Sequence, residues 1–517
     1  MKRIFYFTAF VVLAFLQWGC YKDKGNYDYT DLGGITVDVT SEIYEYRVTL
    51  GERLTIPMTV TSDIPEAELG YTWEVGVSSR FPAFTEGKDL DYVVGPNEYF
   101  PSYGTFIVKL KVTRQVNGYS AAVYSPLIRI IVGGESGLMV LHGSDTESDL
   151  AMITHPDFMI NAGTQVAQNI TYNLYSSANG GEKLPGKGVL AIQQHTPNSN
   201  ATTSNVHIVT DRTSVVAAAA GVVKKSDYVD LFYSLPGYPA FCKGDPQRFQ
   251  FFGTTRVILD GGDLFVMNAS SNPKISVRNE FDGIPNYKIS KHSYFNSGSY
   301  MFEETGRRFI YASTQGSGTL SYTTYNSTRG AFNVNDMQAD LLFFDRGGSS
   351  VNNYLGVFKE DDGTIFLGEI NFSAPDQDGN TFARAKYGIT DLPGFESAKF
   401  YALGSNSSLC YYATSTDVYH YAILGGGLTT TGRKLMMGTE QVPFSGEVTM
   451  MKILRPLVTG ATTNVYQYHS RMLLVGTYEN NVGTLHAIVL DELSGSALSH
   501  KTYTGFGRIA DANLKSF

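Results

Sequence analysis

Residues 138–154 read LMVLHGSDTESDLAMIT: a short apolar run, a polar turn, and a second apolar run. Each run is too short for a stable helix and shows no gap at helical spacing. A short apolar run bounded by turn residues fits a strand buried on both faces, and the polar stretch between fits a hairpin. The same figure recurs as VHIVTDRTSVVAAAA from Val206, VILDGGDLFVMN from Val257 and FIYASTQGSGTLSYTTY from Phe309. It recurs again as YLGVFKEDDGTIFLGEIN, counted from Leu355, LCYYATSTDVYHYAIL from Leu409 and MLLVGTYENNVGTLHAIVL from Met472. The first strands start 46 to 68 residues apart, and the longest interval holds the loop SSANGGEKLPGKG at 176–188.

One hairpin cannot hide both faces. Stacked units can, and spacing near 50 residues fits the blades of a β-propeller, of which each hairpin would supply the two middle strands. Seven hairpins predict seven blades over residues 135–517. Six or eight blades, and a large sandwich or β-helix with accidental spacing, are the competing readings. The tail FGRIADANLKSF at 506–517 has no hairpin of its own and is expected to close the set beside the first blade. Composition agrees with an all-β chain: 53 Gly, 34 Tyr and 31 Phe, with only 17% charged residues.

Upstream, residues 34–134 alternate with period two. Leu54, Ile56, Met58 and Val60 share one face of LTIPMTV. Pro57 cannot donate to a ladder, which predicts an edge strand. Tyr71, Trp73 and Val75 alternate with Thr72 and Glu74, and Phe106, Val108, Leu110 and Val112 with Ile107, Lys109 and Lys111. Asn117-Gly118 marks a hairpin turn. LIRIIV at 127–132 closes the module. Strands at this density fit an immunoglobulin-like sandwich with Trp73 as its core anchor. YTWEV (71–75) and FIVKLKV (106–112) resemble a PKD-like domain, although GVSSRF stands where such domains carry a glycine-aspartate turn.

At the amino end, Lys2 and Arg3 precede the apolar stretch 4–16, which is long enough for a signal sequence and too short to span a bilayer. Gln17-Trp18-Gly19-Cys20 resembles a lipobox, with Gln17 where leucine is usual. On this reading 1–19 is a lipoprotein signal peptide, Cys20 carries the lipid, and 20–33 is the lipidated tether. Multiple acyl chains anchor a protein more firmly than one. Without Lys2 and Arg3 the chain holds 38 basic and 49 acidic residues, which argues against nucleic acid and against electrostatic adhesion to an anionic surface. Beyond Cys20, Cys242 and Cys410 are either a bridge or two free thiols.

Motifs for chemistry are weak. GEKLPGKG (181–188) resembles a phosphate loop but ends in Gly188 and leads into a strand, so a mobile loop is the better reading. Asp376, Asp378 and Asn380 place oxygens at alternate positions, as a calcium loop does. The rest of that motif is absent, and a solvated turn is favoured over a metal site. Asp361-Asp362-Gly363 reads as a hairpin turn. The nine histidines are scattered, and His207, His420 and His486 lie within expected strands and suit structural roles. No catalytic motif is found, so no enzyme activity and no cofactor are assigned. Abundant tyrosine suits a surface that binds peptides or sugars. With Trp73 the only tryptophan after Cys20, peptides are favoured over glycans.

Taken whole, the chain resembles the PKD-like family lipoproteins of Bacteroidota. The marks are CYKDKGNYDY (20–29), the PKD-like module, GLMVLHGSDTESDLAMI (137–153) and GFGRIADANLKSF (505–517). The resemblance implies an outer-membrane, surface-exposed lipoprotein. Its partners would be a SusC-like TonB-dependent transporter and a SusD-like lipoprotein. The expected role is an accessory that captures oligopeptides or other polymer fragments for that importer. A propeller surface hydrolase and a purely structural subunit are the alternatives.

Overall fold

The computed structural model describes residues 35–39, 44–133, 136–159, 168–194, 205–232, 242–313, 319–320, 330–347, 353–372, 383–404, 409–455 and 466–515, apart from short gaps inside those ranges. The chain divides into two compact units: Met1–Tyr44, Leu54–Tyr92 and Ile107–Ile128, and then Glu45–Arg53, Val93–Phe106 and Arg129–Phe517.

In the smaller unit, Leu69–Val75 pairs antiparallel with Gly104–Val116, opposing Trp73 to Leu110. Trp73, Val108, Leu110 and Val112 are fully buried. The Trp73 indole N–H donates to Gly87 O at 3.1 Å, so the core anchor loses no hydrogen bond on burial. Val116 pairs with Tyr119 across the expected two-residue turn, which itself lies outside the described residues. Pro57 does more than mark an edge. It separates Arg53–Ile56, which pairs with Leu90–Val93, from Met58–Ser62, which pairs with Ile35–Val39. With no N–H to give, it is where the chain changes partner. Glu74 corrects the simple alternation: it is buried, because Lys109 Nζ and Lys111 Nζ approach it at 3.3 Å and 3.9 Å.

Among the described residues, the larger unit contains seven main antiparallel sheets in chain order. The first is Gly137–Gly143, Glu147–Thr154 and Asn169–Thr171, with Arg508–Lys515 added at its open edge. The second is Gly188–Gln194, Asn205–Thr210, Ser214–Ala218 and Lys224–Asp227. The third is Pro246–Phe252, Thr255–Asp260 and Asp263–Asn268, and the fourth is Gly298–Glu303 with Arg308–Ser313. The fifth is Ala339–Arg346, Asn353–Glu360, Ile365–Asn371 and Ala383–Gly388. The sixth is Phe400–Leu403, Leu409–Ala413 and Val418–Leu424, edged by Arg433–Lys434. The seventh is Glu447–Ile453, Met472–Glu479, Val482–Leu490 and Ala497–Phe506.

Six of the seven predicted hairpins form as read. The fourth is corrected: Thr319–Leu320 pairs in parallel with Glu280–Phe281, while Arg308–Ser313 pairs with the strand before it. Turn chemistry follows the residues. Asp260 pairs with Asp263 around Gly261 and Gly262, both at positive φ, and Gly363 at φ 90° closes the Asp361-Asp362-Gly363 turn.

Each sheet packs one face on its predecessor and the other on its successor, which is why its middle strands are apolar throughout. Met139 and Leu141 of the first sheet meet Ala191 and Ile208 of the second. Val209 meets Phe249 and Phe265 of the third, whose Val257 and Leu259 meet Met301 and Ile310 of the fourth. Phe302 and Phe309 meet Phe344 and Phe358 of the fifth, whose Leu355 and Leu367 meet Cys410 and Tyr412 of the sixth. Leu409 and Val418 meet Leu473 and Ile488 of the seventh. Leu474 and Leu485 of the seventh meet Leu138 and Val140 of the first. The series of contacts thus returns to its start. Tyr354, Tyr411, Tyr412, Tyr421, Tyr466 and Tyr503 are buried in these interfaces rather than offered at a surface.

Candidate functional site

Charged side chains meet at the ends of the first strands of the fifth and seventh sheets and along the last strand of the chain. Arg346 ends the first strand of the fifth sheet, Leu403 ends that of the sixth, and Arg455 follows that of the seventh. Arg455 Nη1 donates to Arg346 O at 2.9 Å and lies 2.7 Å from Asp345 Oδ2, and Arg455 Nη2 donates to Leu403 O. Asp345 Oδ1 accepts from the Arg346 backbone N–H at 2.7 Å. His469 is pushed below its ordinary pKa by burial and by the Arg455 and Arg346 charges, so it is neutral at pH 7.

One sheet further on, Lys452 Nζ donates to Asp511 Oδ1 at 2.8 Å and Asn513 Oδ1 at 2.9 Å. Asp511 Oδ2 accepts from Ala191 N of the second sheet at 3.0 Å, and Asn513 Nδ2 donates to Ala191 O at 2.7 Å. Residues that begin these strands also meet. Arg508 Nη2 lies 3.0 Å and Lys399 Nζ 3.5 Å from the Glu447 carboxylate, and Arg508 holds that carboxyl below its usual pKa. Strand starts meet starts and ends meet ends, so the first strands run in one sense.

Cys20, Asp376, Asp378 and Asn380 lie outside the described residues. GEKLPGKG is corrected from a mobile loop to one pinned at several points. Gly186 N donates to Thr146 O at 2.7 Å, Ser148 Oγ donates to Gly186 O at 2.8 Å, and Lys183 pairs with Glu147 at 2.5 Å. Its lysines face carboxylates, so it offers no phosphate cradle.

His207, His420 and His486 are buried structural residues. His486 Nδ1 and His500 Nε2 share a hydrogen bond at 2.9 Å, and His486 Nε2 bonds Thr477 Oγ1 at 3.1 Å. Cys242 and Cys410 are both free, Cys410 being buried between the fifth and sixth sheets. Among the described residues, no group of three His, Cys, Asp or Glu is placed to hold a metal. Asp260 is fully buried, and burial raises its pKa. Its oxygens accept from Lys243 N at 2.5 Å and Asp245 N at 2.6 Å, so its work is to fold that loop.

Asp345, Arg346, Lys452, Arg455, Asp511 and Asn513 were not singled out from the sequence. The one local signal is a charged residue placed where an apolar first strand ends, as in LLFFDR and MMKILR.

Solved structures similar to this chain include the following three. A hypothetical selenium-binding protein from Sulfolobus tokodaii is 10% identical, with TM-score 0.41, over 74% of this chain and 93% of that one. Aleuria aurantia lectin in complex with Fucα1-6GlcNAc is 8% identical, with TM-score 0.27, over 78% and 92%. PorZ, a surface component of the type-IX secretion system of Porphyromonas gingivalis, is 9% identical, with TM-score 0.23, over 72% and 52%. No curated protein matches. Residues 20–187 match the PKD-like family, so the chain carries a PKD-like domain that takes in its N-terminal strands and reaches the end of the loop before the second sheet.

Proposed function

We propose that this protein is a lipid-anchored accessory of a SusC/SusD-type outer-membrane importer, exposed at the cell surface and capturing oligopeptides or other polymer fragments. In this reading Cys20 carries the anchor, residues 21–33 are the tether, and the PKD-like domain is a spacer. The seven sheets close into a seven-bladed β-propeller that presents the recognition surface. The observation that carries the closed form is the pairing of Arg508–Lys515 with Gly137–Gly143, which joins the last strand to the first sheet. The return of the packing series from the seventh sheet to the first supports it. The match to the PKD-like family supports an extracytoplasmic module ahead of it.

A hydrolase at this surface would draw on carboxyls with raised pKa. Asp260 is such a carboxyl, and both of its oxygens are held by its own loop. That favours binding over catalysis.

The test is membrane fractionation of the native chain and of Cys20→Ala, followed by affinity purification of the native chain from detergent extract. The reading expects Cys20→Ala in the soluble fraction and a barrel transporter co-purifying with the native chain. Membrane retention of the variant, or a native chain that purifies alone, sinks it.

A further inference from the structure

Two arginines, Arg346 and Arg455, stand at the ends of first strands. Of the two guanidinium groups only that of Arg455 reaches the Asp345 carboxylate; Arg346 meets it through its backbone N–H. Asp345 gives Oδ2 to Arg455 and Oδ1 to the Arg346 backbone, so it leaves the Arg346 side chain without a counter-charge. Among the described residues, the Arg346 side chain makes no hydrogen bond or ion pair, and its Nε is buried with no acceptor. Arg455 Nε is likewise buried and unpartnered. His469 is neutral beside them and adds a ring nitrogen rather than a charge.

A buried donor without an acceptor costs roughly 1–3 kcal/mol, more when charged, and folded proteins rarely leave one unused. Arg455 is held rigid by Asp345 and by the carbonyls of Arg346 and Leu403, contributed by the fifth and sixth sheets. That bracing fixes the backbone from which the Arg346 side chain projects. A planar fork of donors in this setting matches a planar, bidentate oxyanion. The chain as a whole carries net charge −9, so a site of local positive charge runs against its composition. At physiological ionic strength the distant acids are screened beyond about 8 Å, and the site acts by its own field.

We infer that Arg346, braced by Arg455 and Asp345, is a receptor for the carboxylate group of a ligand. The inference rests on the ligand-capture reading and names the chemistry of what is captured. Two sources share that chemistry, the C-terminal carboxylate of a peptide and the carboxylate of a uronic acid.

The experiment is calorimetric titration of the full mature chain with four probes: trialanine, trialanine amide, trigalacturonic acid and its methyl ester. At least one acid is expected to bind tenfold or more tightly than its neutral counterpart, and which pair discriminates identifies the source. Arg346→Gln should abolish that preference. Arg346→Lys, which keeps the charge and loses the fork, should retain part of it. Circular dichroism and the melting temperature of each variant establish that it is folded. Equal binding of acid and neutral probe, no binding of either acid at millimolar concentration, or a folded Arg346→Gln that keeps the preference each overturns the site. These failures leave anchoring by Cys20 and co-purification with a transporter untouched, so the two ideas fall separately.

Discussion

Lys452 Nζ lies 2.8 Å from Asp511 Oδ1, which ties the first strand of the seventh sheet to the last strand of the chain. Asp511 also accepts from Ala191 N, so one carboxylate joins the seventh, first and second sheets. Beside it the backbone is tight: a Cβ on Gly507 would meet Gly143 O at 2.5 Å. The join of the last strand to its neighbouring sheets therefore depends on a buried carboxylate and on a residue with no side chain.

Asp511→Ala should destabilise the larger unit by about 2–4 kcal/mol, because it leaves Lys452 half-paired and the Ala191 N–H without an acceptor. Asp511→Asn keeps the shape and an acceptor oxygen and should cost less. Urea unfolding followed by circular dichroism measures both. A midpoint for Asp511→Ala equal to that of the native chain would show that the join of the last strand does not lean on this contact.

Stability should fall as the solution is acidified from pH 6.5 towards 4. Burial holds His142, His292 and His486 at about 4, and pushes His155, His420, His469 and His500 down as well. The unfolded chain, with histidines near 6.5, then binds more protons than the folded one in that interval. Stability is fully present above 6.5 and is lost as pH drops through the interval. Carboxylates held low, such as Asp417, act at lower pH. Melting temperature against pH gives the slope, and His486→Gln should flatten it. A melting temperature constant from pH 7 to 4.5 contradicts the assignment.

The two thiols should be almost inert in the folded protein. Burial pushes Cys410 up to about 12 and Cys242 to about 11, the latter with Asp260 adding to the shift. The thiolate is the reactive form, so at pH 8 iodoacetamide should label neither in hours and both once the chain is unfolded. Rapid native labelling of Cys410, seen by mass spectrometry of peptides, would mean that the fifth and sixth sheets separate readily.

How much of this could be read from residues alone follows from range. Apolar runs such as Leu138–Leu141 and Met472–Val475 announced strands buried on both faces, because a strand's burial is written into its own side chains. Gly261-Gly262 and Asp361-Asp362-Gly363 announced their turns, because positive φ is a local demand. The tail beside the first sheet was legible as a strand left without a hairpin. Glu74 misled, because its burial depends on Lys109 and Lys111, carried by another strand.

The charged ends of the first strands were decided by tertiary structure. Asp345 and Arg455 are far apart in the chain, as are Ala191 and Asp511. No period or spacing relates them. They meet because seven sheets, each with two greasy faces, can hide both only by stacking in sequence, and that stacking aligns the ends of their first strands. Composition and periodicity specify the sheets; only the stacking specifies which charges face each other.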